Sequence, residues 1–309
     1  MPYIPFAQWL IREVDQPGEP ADGRPRASAR PGGSSDPPTV SAPVVQAKVH
    51  QVALRETSLR PPPPWLIRWE IFAVFAVSLG ASALNAALNL VGSLLQNKSL
   101  ASQQALLVGS LAPFNHWLDL TLQMASIAEN LAPVFLVLYL MVRSGEPPSV
   151  IGIDASQPAR DVVRGAVLAA VVGGSGLALY IAAFHLGVSL NVVPEHLPAV
   201  WWRIPVLLLD ALQNGLLEEV LVIGYLLLRL EQLGWRPAWA IACSALLRGT
   251  YHLYQGLGGF AGNAIMGVIF AVLYRRWGRV MPLVVAHTLI DATAFVGYVA
   301  LHGKVSWVP

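Results

Sequence analysis

A chain of 309 residues with 55% hydrophobic and only 12% charged side chains is too apolar for an ordinary soluble domain, which carries about 25% charged residues. A net charge of +2 gives no electrostatic basis for nucleic-acid binding, and the single cysteine, Cys243, excludes an intramolecular disulfide. The composition points to an all-α protein, a polytopic transmembrane helix bundle.

Residues 1–64 read as a disordered Pro/Gly/Arg-rich cytoplasmic tail, with Gln16 to Pro43 too poor in apolar side chains to build a core. Its start lacks a basic segment followed by an apolar one, so no cleavable signal peptide is expected. Pro61 to Pro64 form a stiff spacer that ends in Trp65 and Trp69, side chains suited to a membrane interface. Residues 65–309 form the transmembrane domain, with about seven to eight spans.

The first span is expected from Leu66 to Leu95 and the second from Trp117 to Val142, kinked at Pro133 and carrying Glu129 and Asn130. The stretch 96–117 has no clear assignment. A polar link precedes a Gly- and Ala-rich third span, Val162 to Leu186, and residues 188–199 are expected to be a short loop. The fourth span, Ile204 to Arg229, holds two adjacent carboxylates, Glu218 and Glu219. Ala238 to Tyr254, Phe260 to Tyr274 and Met281 to Leu301 complete the series, the first two of these short for a bilayer that needs about 20 residues. Arg143, Arg160, Arg229, Arg236, Arg275, Arg276 and Arg279 fall at alternate span ends, which orients the N-terminus to the cytoplasm across a plasma membrane.

Ionisable groups in hydrocarbon are costly and mark functional sites by default. Besides the glutamates, the apolar runs carry Arg248 and His252, then His287 and Asp291, each pair at i and i+4 on one helix face. At about 1.5 Å per residue, Glu218 lies about 16 Å from Arg229, His252 about 24 Å from Arg236 and His287 about 12 Å from Arg279, so a common depth is within reach. A carboxylate beside imidazoles in a partly dry cavity suits activation of water for attack on a peptide carbonyl. The same groups have an alternative use, a Zn²⁺ site of Glu218, His252 and His287, although no HExxH is present. Asn263 and Cys243 read as packing residues. Gly173-Gly174-Ser175-Gly176 matches a rhomboid-type serine motif, a weak signal in a Gly-rich helix that leaves the glutamates unexplained.

The order Glu218-Glu219, Gly224, His252, then His287 with a polar residue four later, resembles the CPBP (Abi) intramembrane proteases, the family of the eukaryotic CAAX prenyl endopeptidase. Its motifs are EExxxR, FxxxH and HxxxN or HxxxB on successive core helices. The resemblance covers about Val206 to Tyr298, within a core at about 204–301. It implies an endopeptidase that cuts membrane-associated substrates with glutamate-activated water, in a family often labelled metalloproteases. Glu218 would be the general base, with Glu219 beside it. His252 and His287 would assist as water-holding or oxyanion groups, and Asp291 takes the place of the oxyanion-stabilising Asn. The chain departs from the pattern at Ile223, where the first motif has arginine, and at Arg248, where the second has an aromatic. Arg248 is expected to replace the missing arginine by pairing with Glu219, since a lone buried charge is costly. The partners implied are a peptide or membrane-protein substrate and the lipid bilayer. A catalytically weak relative acting in immunity or scaffolding is the alternative, and a proton-relay transporter, for which no repeat is seen, a third.

Overall fold

The computed structural model describes residues 62–302 and residue 304, so the calls on the tail before residue 62 lie outside the described residues. Helices dominate. The expected first span is two helices, α1 (Pro64–Ala76) and α2 (Leu79–Leu94), bent by 51° at their junction. No proline stands at this bend. The Ser78 hydroxyl instead donates to the Val74 carbonyl at 2.6 Å, offering the chain a local partner where the helix breaks.

Then comes the first departure from an all-helical bundle. Gln104–Gly109 form strand β1, which pairs in parallel with β2 (Asn191–His196). The strands occupy the unassigned stretch 96–117 and the supposed loop 188–199, and turn them into one structural unit. Between them run α3 (His116–Arg143), capped by the Asn115 side chain, and α4 (Pro158–His185). Each of these helices has 28 residues and is about 42 Å long, more than the roughly 30 Å of a bilayer core.

The glutamate stretch is a continuous helical run in three parts: α5 (Arg203–Glu218), a π-helical segment (Glu219–Tyr225) and α6 (Leu226–Gln232). Val220, Leu221, Val222, Ile223 and Tyr225 are fully buried and form the centre of the core. The remaining helices are α7 (Pro237–Tyr251), α8 (Leu257–Trp277) and α9 (Met281–Leu301). Proline occupies the first turn of α1, α4, α7 and α9, where its missing N–H has no partner to lose. Small residues bring helices into close contact: a Cβ at Gly165 of α4 would lie 2.5 Å from Val285 of α9, and one at Gly267 of α8 would lie 3.0 Å from Ala245 of α7. Apolar side chains such as Trp69, Phe72, Phe135, Val163, Val167 and Val171 face outward.

Among the described residues, four helices, α3, α4, α8 and α9, are long and apolar enough to cross a membrane, or five if α1 and α2 together form one bent span. The expectation of about seven to eight spans therefore stands only in part. For the glutamate run the physical reason is interruption and polarity, since the π-helical segment divides a stretch otherwise long enough to span, and for α7 it is length. α5 has 16 residues and carries Asp210, Gln213, Asn214 and Glu218, while α7 has only 15. α8, in contrast, is longer than the sequence suggested.

Two arginine clusters tie helix ends together at one end of the bundle. Arg279, in the turn between α8 and α9, reaches Asp154 at 2.9 Å and Asp161 at 2.7 Å. Arg229 at the end of the glutamate run reaches Glu70 of α1 at 2.9 Å and Glu146 after α3 at 2.5 Å. At the other end, Glu195 of β2 pairs with Arg203 and accepts the Leu197 N–H, which fixes where α5 begins.

Candidate active site

Adjacent residues on a helix point about 100° apart, so two neighbouring glutamates face different sides of the helix. Glu218, the last residue of α5, lines a cavity of about 440 Å³. Glu219, the first residue of the π-helical segment, is fully buried behind it. A π segment adds one residue to the local turn and re-aims the side chains around it. The Ser244 hydroxyl on α7 supports it by donating to the Val222 carbonyl at 2.9 Å.

Glu219 is held from two helices. Its Oε1 is 2.7 Å from Arg248 Nη2 on α7 and 2.8 Å from His287 Nδ1 on α9. The two nitrogens, themselves 3.1 Å apart, converge on one oxygen. With Glu219 ionised, this assigns a proton to His287 Nδ1 and turns Nε2 toward Asp291, whose Oδ2 is 3.7 Å away. Arg248 also lies 3.3 Å from Glu218 Oε2 and places its guanidinium 5.2 Å from the centre of the Phe270 ring. One fully buried cation thus serves both carboxylates.

Glu218 has two distinct oxygens. Oε2 accepts from the Tyr251 hydroxyl at 2.8 Å and faces Arg248. Oε1 faces His252 Nε2 at 3.9 Å, too far for a direct hydrogen bond and close enough for one shared water. His252 Nδ1 lies 3.0 Å from the Arg248 carbonyl, so it carries the proton and leaves Nε2 as an acceptor. Asp291 accepts from the Asn214 amide at 3.1 Å.

The six residues singled out in the sequence, Glu218, Glu219, Arg248, His252, His287 and Asp291, thus meet in one cluster. Glu218, His252, His287 and Asp291 line the cavity, with Glu219 and Arg248 behind them. Among the described residues, no three His, Cys, Asp or Glu side chains are grouped so as to hold a metal ion. A guanidinium 3.3 Å from Glu218 also opposes a second cation there. The set Glu218, His252 and His287 does not fit Zn²⁺ in this arrangement. Ser175 of the rhomboid-like motif donates back to the Val172 carbonyl of its own helix at 3.1 Å and does not line the cavity.

Residues 200–293 match the family model described as Type II CAAX prenyl endopeptidase Rce1-like. This segment, less than half of the chain, is similar to the CAAX protease-like family. The Rce1-like segment contains all six clustered residues and runs from shortly after β2 into α9. The helices and strands before it, including β1 and α3, frame the cavity from outside the matched region. Comparison with curated proteins gave no match, and comparison with solved structures gave none.

Sequence reasoning missed several cavity residues of the Rce1-like segment. Asp210, Gln213 and Asn214 precede Glu218 at spacings that share one face of α5, and all line the cavity. That polar stripe in an apolar stretch was a readable signal. Asn263, expected to be a packing residue, also lines the cavity. Tyr251 had no signal of its own beyond its position next to His252.

Proposed function

We propose that the protein is an integral-membrane endopeptidase that hydrolyses peptide bonds of membrane-associated substrates with water activated by Glu218. The match of residues 200–293 to the Rce1-like family model supports the reaction class, and the long apolar helices support the membrane setting. The observation that carries the mechanism is the 3.9 Å separation of Glu218 Oε1 and His252 Nε2 at the cavity wall. Both atoms are acceptors. A water between them donates one proton to each and turns its lone pairs toward the cavity, the orientation that attack on a carbonyl requires.

Glu218 then takes a proton as the water oxygen bonds to the carbonyl carbon. Tyr251 and Arg248 hold its other oxygen and fix the carboxylate plane. The Asn214 amide has a second N–H beyond the one given to Asp291, and it is the group suited to bind the oxyanion. In this reading Asn214 supplies the amide that residue 291 lacks. Glu218 finally returns its proton to the leaving amine as the C–N bond breaks. His287 and Asp291 form the facing wall, with Glu219 orienting the imidazole.

The arginine-bearing span ends are consistent with a plasma-membrane protein whose N-terminus lies in the cytoplasm. The reading as a weak relative draws on Ile223, where the family pattern has arginine. Arg248, within 3.3 Å of both glutamates, supplies the missing positive charge and favours an active enzyme. The deciding experiment compares the purified wild type with Glu218→Gln on a mixed pool of peptides and membrane proteins. Cleavage by the first and not by the second is expected. Equal cleavage by both would remove Glu218 from the chemistry.

A further inference from the structure

A membrane-embedded peptide bond is normally locked in a helix, with its carbonyl hydrogen-bonded within the segment. To be cut it must unwind, and its freed N–H and C=O groups then need partners in place of water. The small parallel sheet beside the cavity offers them.

The pairing of β1 with β2 sets which main-chain groups are used. Asn191 N–H donates to the Gln103 carbonyl, and Ala105 stands opposite Val192 in the register. Main-chain groups of successive strand residues turn to opposite edges. Ala105 and Leu107 therefore bond to β2, while the N–H and C=O of Leu106 and Val108 point to the other edge. Among the described residues, no hydrogen bond from any other element engages those groups. The outer edge of β2 is partly closed: Val192 N–H donates to the Tyr180 hydroxyl at 3.0 Å, and Pro194 has no N–H. The more open edge of the sheet is thus that of β1.

That strand borders the catalytic cavity. Leu107, Val108 and Gly109 line the same space as Glu218 and His252. Side chains alternate along a strand, so three consecutive lining residues place the backbone itself on the wall. The start of β1, at Gln104 and Ala105, borders a second cavity of about 410 Å³, and Tyr254 lines both cavities. β1 therefore marks a track about 20 Å long past Tyr254 to the glutamate. α3 clamps only the strand's end: Gln123 donates to the Gly109 carbonyl at 2.8 Å, and Asp119 accepts the Leu111 N–H at 2.9 Å. The strand is held in place with its edge left open.

We propose that the free edge of β1, at Leu106 and Val108, takes an extended segment of the substrate as a third strand and so presents its scissile carbonyl to Glu218. This rests on the endopeptidase reading. The occupant is an extended peptide, because the edge offers alternating donors and acceptors and lies on the wall of the hydrolytic cavity.

The test measures binding, separately from cleavage. In the Glu218→Gln protein in detergent, retention of a mixture of eight-residue peptides of random sequence is quantified by equilibrium dialysis. Leu106→Pro removes an outward donor while leaving the β2 pairing intact, and should lower retention about tenfold. Should that variant fail to fold, the peptides themselves decide. Methylation of four alternate backbone nitrogens leaves one peptide edge intact and should preserve retention. Methylation of the four central nitrogens blocks both edges and should abolish it. Equal retention of the two methylated sets, or no retention of any peptide, overturns the edge as a binding site. Loss of hydrolysis in Glu218→Gln judges the endopeptidase reading independently of either result.

Discussion

Arg248 Nη2 and Glu219 Oε1 are 2.7 Å apart, and both side chains are fully buried. A buried ion pair of this kind is poor evidence of net stabilisation, but breaking it strands the surviving charge. Arg248→Ala should therefore cost about 3–5 kcal/mol, and Glu219→Ala a similar amount. Combining Arg248→Glu with Glu219→Arg should recover part of the stability lost in either single variant. Unfolding in detergent, followed by helical circular dichroism, provides the measurement. No recovery in the double variant would mean that His287 and Glu218 matter more to this arginine than Glu219 does.

Glu218→Gln keeps an acceptor for the Tyr251 hydroxyl and removes the proposed base. The expected result is a fall in kcat of about 10²–10⁴ with the fold retained, the usual range for a general base. Tyr251→Phe removes a hydrogen bond to the carboxylate but leaves the water site intact. It should cut kcat by roughly 10- to 150-fold, as one charge-assisted bond is worth about 1.5–3 kcal/mol. Steady-state kinetics on one cleaved peptide would rank the two. A Tyr251→Phe effect as large as that of Glu218→Gln would make the tyrosine itself a proton donor.

Asp154 lies in the link between α3 and α4, outside the apolar helices. Hydrogen bonds from Ser156, then from Arg279, hold its carboxyl down at about 2, below the ordinary value of 3.8. A folded-state value below the unfolded one contributes stability above pH 3.8, and that contribution is lost as pH falls toward 2. Asp154→Asn should therefore lower the thermal midpoint near neutral pH, and the difference from wild type should vanish near pH 2. A difference that persists unchanged at the acid end would assign the effect to packing rather than charge.

The ionisable members of the site were legible because they stand in pairs within otherwise apolar runs. Glu218, His252 and His287 have no reason to be there except a common centre, and helical spacing places Arg248 beside His252 and Asp291 beside His287. Other features left weaker traces. The π segment is seven residues of which six are apolar or glycine, and such a run reads the same in α or π geometry. β1 and β2 are six residues each, and their parallel pairing depends on contacts between segments far apart in the chain. The bend between α1 and α2 has no proline to announce it. Asn214 left a fainter trace than the charged residues, although it shares a polar stripe with Asp210 and Gln213. An amide in an apolar helix is cheaper than a charge, so it stands out less than the glutamates four and five residues away.

That amide carries the most specific expectation about the site. Asp291 stands where the family pattern most often has asparagine, and Asn214 Nδ2 lies 3.1 Å from its Oδ2. If Asn214 provides the oxyanion donor, Asn214→Ala should lower kcat by about 10²–10³ while KM changes little, the signature of a bond made in the transition state. Adding Asp291→Asn should then rescue part of the loss, because it returns an amide to the same wall of the cavity. A purely structural role for Asn214 predicts otherwise: Asp291→Asn would leave the loss in place, and the thermal midpoint would fall together with kcat. Parallel kinetics and unfolding of the two single variants and the double variant separate these outcomes.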